Sequence, residues 1–162
     1  CGLEWVMIGH MQTNKAKVAA RIFSWVETVD RPRLAEALSK EAEKAGRVIP
    51  VLLEVHLGGE ETKGGCAPGD LEALLSVCED LPGLDVRGLM AVPPWDPDPE
   101  VSRPWFRELS GLFSRLREGA KHPERFTGLS MGMSADFEKA IGHGASHVRV
   151  GSALFGHRGA LA

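Results

Sequence analysis

The sequence lacks the features that announce several common classes of protein. Cysteine occurs three times, as Cys1, Cys66 and Cys78. This odd, irregularly spaced set offers no disulfide framework and fits a reducing compartment. There is no CxxC pair and no Cys/His pairing at zinc spacing, which argues against a structural metal. No apolar run approaches the length of a membrane span, and no charged-then-apolar leader is recognisable; the expected location is cytoplasmic. Lys and Arg number 19 against 22 Asp and Glu, for a formal net charge of −3. The basic residues are scattered, so the footprint of a nucleic-acid-binding protein is missing. Heptads, internal repeats and low-complexity tracts are absent.

What remains is an ordinary globular composition, 43% apolar and 25% charged over 162 residues, enough for one well-buried domain and short for two. Apolar runs alternate with helical periodicities. Strands are expected at 4–9, 25–29, 48–57, 84–92, 127–131 and 146–150. The 48–57 run, "VIPVLLEVHL", is almost continuously apolar, as a parallel strand covered on both faces should be. Its Pro50 suits the start of a strand rather than its middle.

Between the strands, residues 14–23 predict a helix with Val18, Ile22 and Phe23 on its apolar side. Asp30 is the expected N-cap of the next helix, with Pro32 in its first turn, Leu34, Ala35 and Leu38 on one face and Gly46 as its stop. Further helices are expected over 70–81, 101–119 (Pro104 in the first turn) and 134–144, with a short turn at "SALFG". Six βα units of about 27 residues predict a parallel α/β fold. Two architectures remain open at this point: a doubly wound sheet, or part of a (β/α)8 barrel, which usually needs about 250 residues.

Ligands of parallel α/β folds sit beyond the C-terminal strand ends. Two loops there combine glycine, a hydroxyl and a helix start: "GMSAD" after the fifth strand and "GSALFGHR" after the sixth. Such turns suit an anion, because glycine permits close approach and unpaired N–H groups face it. Ser134 either caps its own helix or offers its hydroxyl to a phosphate; Gly151 and Ser152 either form a plain turn or receive the same anion. Arg149, in an apolar strand, either points outward into a salt bridge or aims its permanently charged fork at a ligand. Lys63 is either a solvated loop tip or a ligand contact. His10 and His56 lie near strand ends, with a structural role the simpler reading. His143 and His147 share no helix face across Gly144. Met90, Met131 and Met133 read as core filling.

The blocks "WVMIGHMQTNK", "VLLEVHLGGEETKGG", "VRGLMAVPP", "LSMGMSADFEKAIGHG" and "VRVGSALFGHR" resemble, in order and spacing from residue 5 to 158, the pyridoxal phosphate homeostasis proteins. That family is similar to the barrel domain of alanine racemase and is regarded as a cofactor carrier without known catalysis. The resemblance implies a TIM-barrel-type fold and pyridoxal 5′-phosphate as cofactor. It implies that Ser134, Gly151 and Ser152 grip the phosphate with Met133 beside them. Arg149 would approach the pyridine nitrogen, and Lys63 would be a secondary contact. An arginine there would leave the nitrogen unprotonated and weaken the electron sink that carbanion chemistry needs, although racemases carry one too, so it does not by itself exclude an enzyme.

Family members begin with two further βα units, about 70 residues at the usual unit size, and the first carries the lysine that attaches the cofactor. No block of this sequence matches that segment. The chain starts at Cys1 and enters a strand almost at once, so it is expected to be a single domain over 1–162, the C-terminal three quarters of the barrel. In this form it would hold the cofactor without a covalent bond. Apo forms of pyridoxal phosphate enzymes are the implied partners, with self-association through exposed sheet edges. The rival functions are a racemase-like enzyme and a binder of another phosphorylated metabolite. In the third strand Glu54-Val55-His56 stands where family members often have glutamine-valine-asparagine.

Overall fold

The computed structural model describes residues 2–58, 64–94, 96, 98 and 100–156. Among them six strands form one parallel sheet: β1 (Val6–Met7), β2 (Trp25–Val29), β3 (Ile49–Glu54), β4 (Leu84–Met90), β5 (Gly128–Met133) and β6 (His147–Arg149). The helices are α1 (Ala16–Ile22), α2 (Pro32–Lys44), α3 (Leu71–Glu79), α4 (Arg103–Gly119), α5 (Phe137–Gly142) and α6 (Ser152–Phe155).

Sheet order follows chain order from β1 to β6. This decides between the two architectures, because a doubly wound sheet must reverse its strand order and this one never does. Right-handed crossovers repeated in one direction place the helices on one side and roll the sheet into an arc. The roll is visible in one contact: Glu27 on β2 accepts a hydrogen bond from His147 Nδ1 on β6 at 2.9 Å, although three strands separate them in the sheet.

The helix-facing side is dry. On α2, Leu34, Ala35, Leu38 and Ala42 are fully buried, and α4 buries Phe106, Leu109, Leu112 and Leu116. Each such leucine or phenylalanine contributes roughly 1.5–3 kcal/mol by leaving water. Pro50 is the second residue of β3, where its missing N–H is tolerated, and Pro104 lies in the first turn of α4. At Gly88 a side chain is impossible: an added Cβ would sit 1.7 Å from the Gly128 carbonyl oxygen of the paired strand.

Four expectations need correction. The buried face of α1 is Ala16, Ala19 and Ala20, whereas Val18 and Ile22 are half exposed; alanines at i, i+3 and i+4 let the helix approach its neighbours closely. The N-cap of α2 is Arg31, which makes no side-chain cap bond, while Asp30 is held by the Arg31 guanidinium at 2.5 Å. β1 is two residues long, Val6–Met7, and among the described residues pairs with β2 alone. Finally, α5 begins at Phe137 with Asp136 as N-cap, so Ser134 lies before the helix and does not cap it.

Candidate functional site

The C-terminal strand ends and the open side of the arc share a cavity of about 1140 Å³. Met133, Ser134, Arg149, Gly151 and Ser152 all line it, so five of the six expected residues converge. Lys63 lies outside the described residues. Met90 and Met131 are fully buried core filling, while Met133 is half-buried at the cavity wall.

The rim is a cup of backbone donors. Gly132, at φ +89°, turns the end of β5 sharply into Met133 and Ser134. The Ser134 hydroxyl oxygen then accepts the N–H groups of Gly151 (3.0 Å) and Ala153 (3.3 Å) at the start of α6. Two amides therefore point at one exposed oxygen, where a phosphoryl oxygen would find the same donors. The carboxylate of Asp136 stands behind this turn, accepting the Met133 N–H at 2.7 Å and the Ser102 hydroxyl at 2.8 Å.

Below the cup, Arg149 points into the arc rather than outward. Its Nη1 donates to Ser130 Oγ at 2.7 Å and its Nη2 to the Ala91 carbonyl at 2.8 Å. Burial pulls the guanidinium below its ordinary value, opposed by the carboxylates of Glu27, Asp136 and Glu54. Two of its five N–H donors serve these bonds, so others remain for a ligand.

The floor is polar. Glu27 is buried at 4% exposure. The Trp25 ring meets His147 edge-on at 5.3 Å between centroids. The hydrogen bond that His147 donates to Glu27 raises the His147 pKa against the opposing effect of burial. Toward β3, Thr28 donates to Glu54 at 2.5 Å. Burial pushes the Glu54 carboxyl up, and Thr28 opposes that shift.

His56 Nε2 is buried without a hydrogen-bond partner among the described residues, and His10 is exposed. Neither lines the cavity. Among the described residues, Cys66 and Cys78 are poor nucleophiles: burial pushes Cys66 up to about 11 and Cys78 up to about 12. No metal-ligating group of three or more side chains occurs among the described residues. None of their helices is long and apolar enough to cross a membrane.

Sequence reasoning missed Glu27, the role of His147, and Asp136. The signal for Glu27 was available: a carboxylate in the middle of the apolar strand "WVETV" is as anomalous as the arginine in "HVRV".

The comparisons with known proteins bear on this geometry. The family described as alanine racemase, N-terminal domain, matches residues 2–159. The pyridoxal phosphate homeostasis protein of Aquifex aeolicus is 45% identical over 156 residues, covering 96% of this chain and 68% of that protein. Its counterpart in Pseudomonas aeruginosa is 42% identical, and the chain spans 65% of its length. Among solved structures, PipY of Synechococcus elongatus with pyridoxal phosphate bound superposes with a TM-score of 0.87 at 36% identity, covering 95% of this chain and 71% of that one. An alanine racemase of Clostridium difficile, at 15% identity and a TM-score of 0.70 over 99% of this chain and 41% of that one, shares the fold alone.

Proposed function

The chain belongs to the alanine racemase N-terminal domain family, among the pyridoxal phosphate homeostasis proteins, and from that premise we propose that it binds pyridoxal 5′-phosphate as a carrier rather than as a catalyst. The observation that carries the reading is the donor cup above a buried guanidinium: Ser134 Oγ with the Gly151 and Ala153 amides, and Arg149 beneath. The residues present fit the group. The cup offers N–H and O–H donors to a dianionic phosphate, and the nearby Asp136 carboxylate is already occupied by two donors.

When bound, pyridoxal phosphate supplies a reactive aldehyde and an electron-withdrawing ring. In this reading Ser134, Gly151 and Ser152 bind its phosphate, and Met133 packs beside it. Arg149 would offer a donor to the ring nitrogen without surrendering a proton, since the guanidinium stays charged. An arginine at this place would hold the ring nitrogen unprotonated, and by itself it does not separate a carrier from a catalyst. No lysine is among the described residues lining the cavity, so this chain by itself is expected to hold the cofactor without a covalent bond. Delivery to apo-enzymes in a cytoplasmic setting, and self-association through the outer edges of β1 and β6, belong to the same proposal.

Titration with pyridoxal 5′-phosphate against a sugar phosphate, followed by quenching of tryptophan fluorescence, is the test; Trp25 lines the cavity. Saturable binding that favours the pyridoxal ligand is expected. Tighter binding of the sugar phosphate would overturn the reading, and racemisation of alanine by the purified chain would overturn its non-catalytic part.

A further inference from the structure

Two helix caps in this fold turn their side chains away from their own helices and onto each other. Ser102 is the N-cap of α4 and Asp136 the N-cap of α5, yet neither makes a side-chain bond to its own helix. Both residue types are strong cappers, whose side chains ordinarily accept a first-turn N–H. Instead, the Ser102 hydroxyl, on a residue only 3% exposed, donates to Asp136 Oδ2 at 2.8 Å. The other carboxylate oxygen accepts the Met133 N–H at 2.7 Å, and the Asp136 N–H closes the turn on the Met133 carbonyl at 3.0 Å. A Lys139–Glu100 ion pair at 2.8 Å runs alongside and joins the same two segments.

This arrangement adjoins the cup, and Asp136 itself lines the cavity. Asp136 holds Met133, and the next residue is Ser134, whose oxygen receives the Gly151 and Ala153 amides. Ser102 ends the β4–α4 connection, whose Pro94 and Asp96 form another wall of the cavity. A free carboxylate so close to a phosphate site would repel the ligand. Asp136 keeps its charge and lines the cavity, but with both oxygens accepting from donors it holds the turn that shapes the cup.

We propose that Asp136 is a positioning residue for the phosphate group: its carboxylate, shared between the Ser102 hydroxyl and the Met133 amide, locks the β5–α5 turn so that Ser134 faces the amides of α6. The proposal rests on the reading that the cup binds the phosphate of pyridoxal 5′-phosphate. It predicts an effect on the phosphate end of the ligand and little on the ring.

The experiment compares the affinities of Asp136→Ala, Asp136→Asn, Ser102→Ala and the wild type for pyridoxal 5′-phosphate and for pyridoxal. The readout is the ratio of the two affinities, which a general loosening of the fold would leave unchanged. Asp136→Ala is expected to lower the ratio about tenfold, the loss of roughly one aligned charged hydrogen bond. Asp136→Asn, whose amide still accepts from Met133 and donates to Ser102, is expected to stay within about threefold of wild type. A ratio in Asp136→Ala equal to that of wild type overturns the proposal, as does an equal loss for both ligands. If Asp136→Ala does not fold, Ser102→Ala decides, since it cuts one arm and spares the Met133 bond; an unchanged ratio there is equally fatal. A wild type that does not discriminate between the two ligands overturns the binding reading and this inference together.

Discussion

Replacing Arg149 by alanine probes the interior of the arc most directly. The substitution removes the donors to Ser130 Oγ and to the Ala91 carbonyl, both on residues with no exposed surface. A hydrogen bond from a charged donor contributes about 1.5–3 kcal/mol net, and a stranded buried acceptor costs about 1–3 kcal/mol. These describe one loss from two sides, so the two bonds together are worth about 3–6 kcal/mol. Against that stands the desolvation of the guanidinium, which burial already disfavours. Water reaching the half-buried position repays part of what Ser130 and Ala91 lose. The net expectation is a destabilisation of about 2–4 kcal/mol, or a fall in Tm of roughly 5–15 °C for a domain of this size. Arg149→Lys keeps the charge, but one ammonium cannot span both acceptors, so about half the loss is expected. Urea unfolding followed by circular dichroism measures each value. A cycle with Ser130→Ala isolates the bond between the two side chains, expected at about 1–2 kcal/mol. A loss below about 0.5 kcal/mol in Arg149→Ala, or no coupling to Ser130, would refute the inward orientation and remove the floor from the proposed site.

Gly132→Ala forces a side chain onto a left-handed backbone at φ +89°, with its Cβ 2.5 Å from the Ala140 Cβ. A destabilisation of about 2–4 kcal/mol is expected, and equilibrium unfolding that matches wild type would contradict the tight β5–α5 turn. The His147–Glu27 bond makes a pH-dependent contribution. Because the folded-state pKa of His147 is raised, the stabilisation is complete below the unfolded value, about 6.5, and decays as pH climbs through the folded one. His147→Gln should therefore cost more stability at about pH 6 than at about pH 9; thermal melts showing the same penalty at both would rule the pair out.

The sheet was legible in the sequence because buried parallel strands leave long apolar runs: β2 was located to the residue, and β3, β4 and β5 to within a few. The face of α1 was not, because apolarity alone favours Val18 and Ile22, whereas packing distance favours alanines. The cup was partly legible. Glycine and hydroxyl spacing picked out Ser134, Gly151 and Ser152, and an arginine inside an apolar strand picked out Arg149. What one-dimensional reading could not supply was pairing across the arc. The partner of His147 lies on β2, and that of Asp136 at the start of α4. Capping rules misled for a related reason: tertiary partners compete for the same side chains, so Ser134 and Asp30 looked like caps while Asp136 and Ser102 spend their caps on each other.

The chain-ordered sheet also dictates when each contact can form. Every ladder joins neighbours in sequence, so the arc can grow strand by strand through short loop closures. The Glu27–His147 bond is different in kind, since it joins residues 120 apart. It cannot exist until β6 is in place, so it is expected to form late in folding. A latch of that sort adds nothing to the speed of folding and slows escape from the folded state. In a chevron, its removal should lift the unfolding limb and leave the refolding limb where it was, making the curl of the arc the last step in and the first step out.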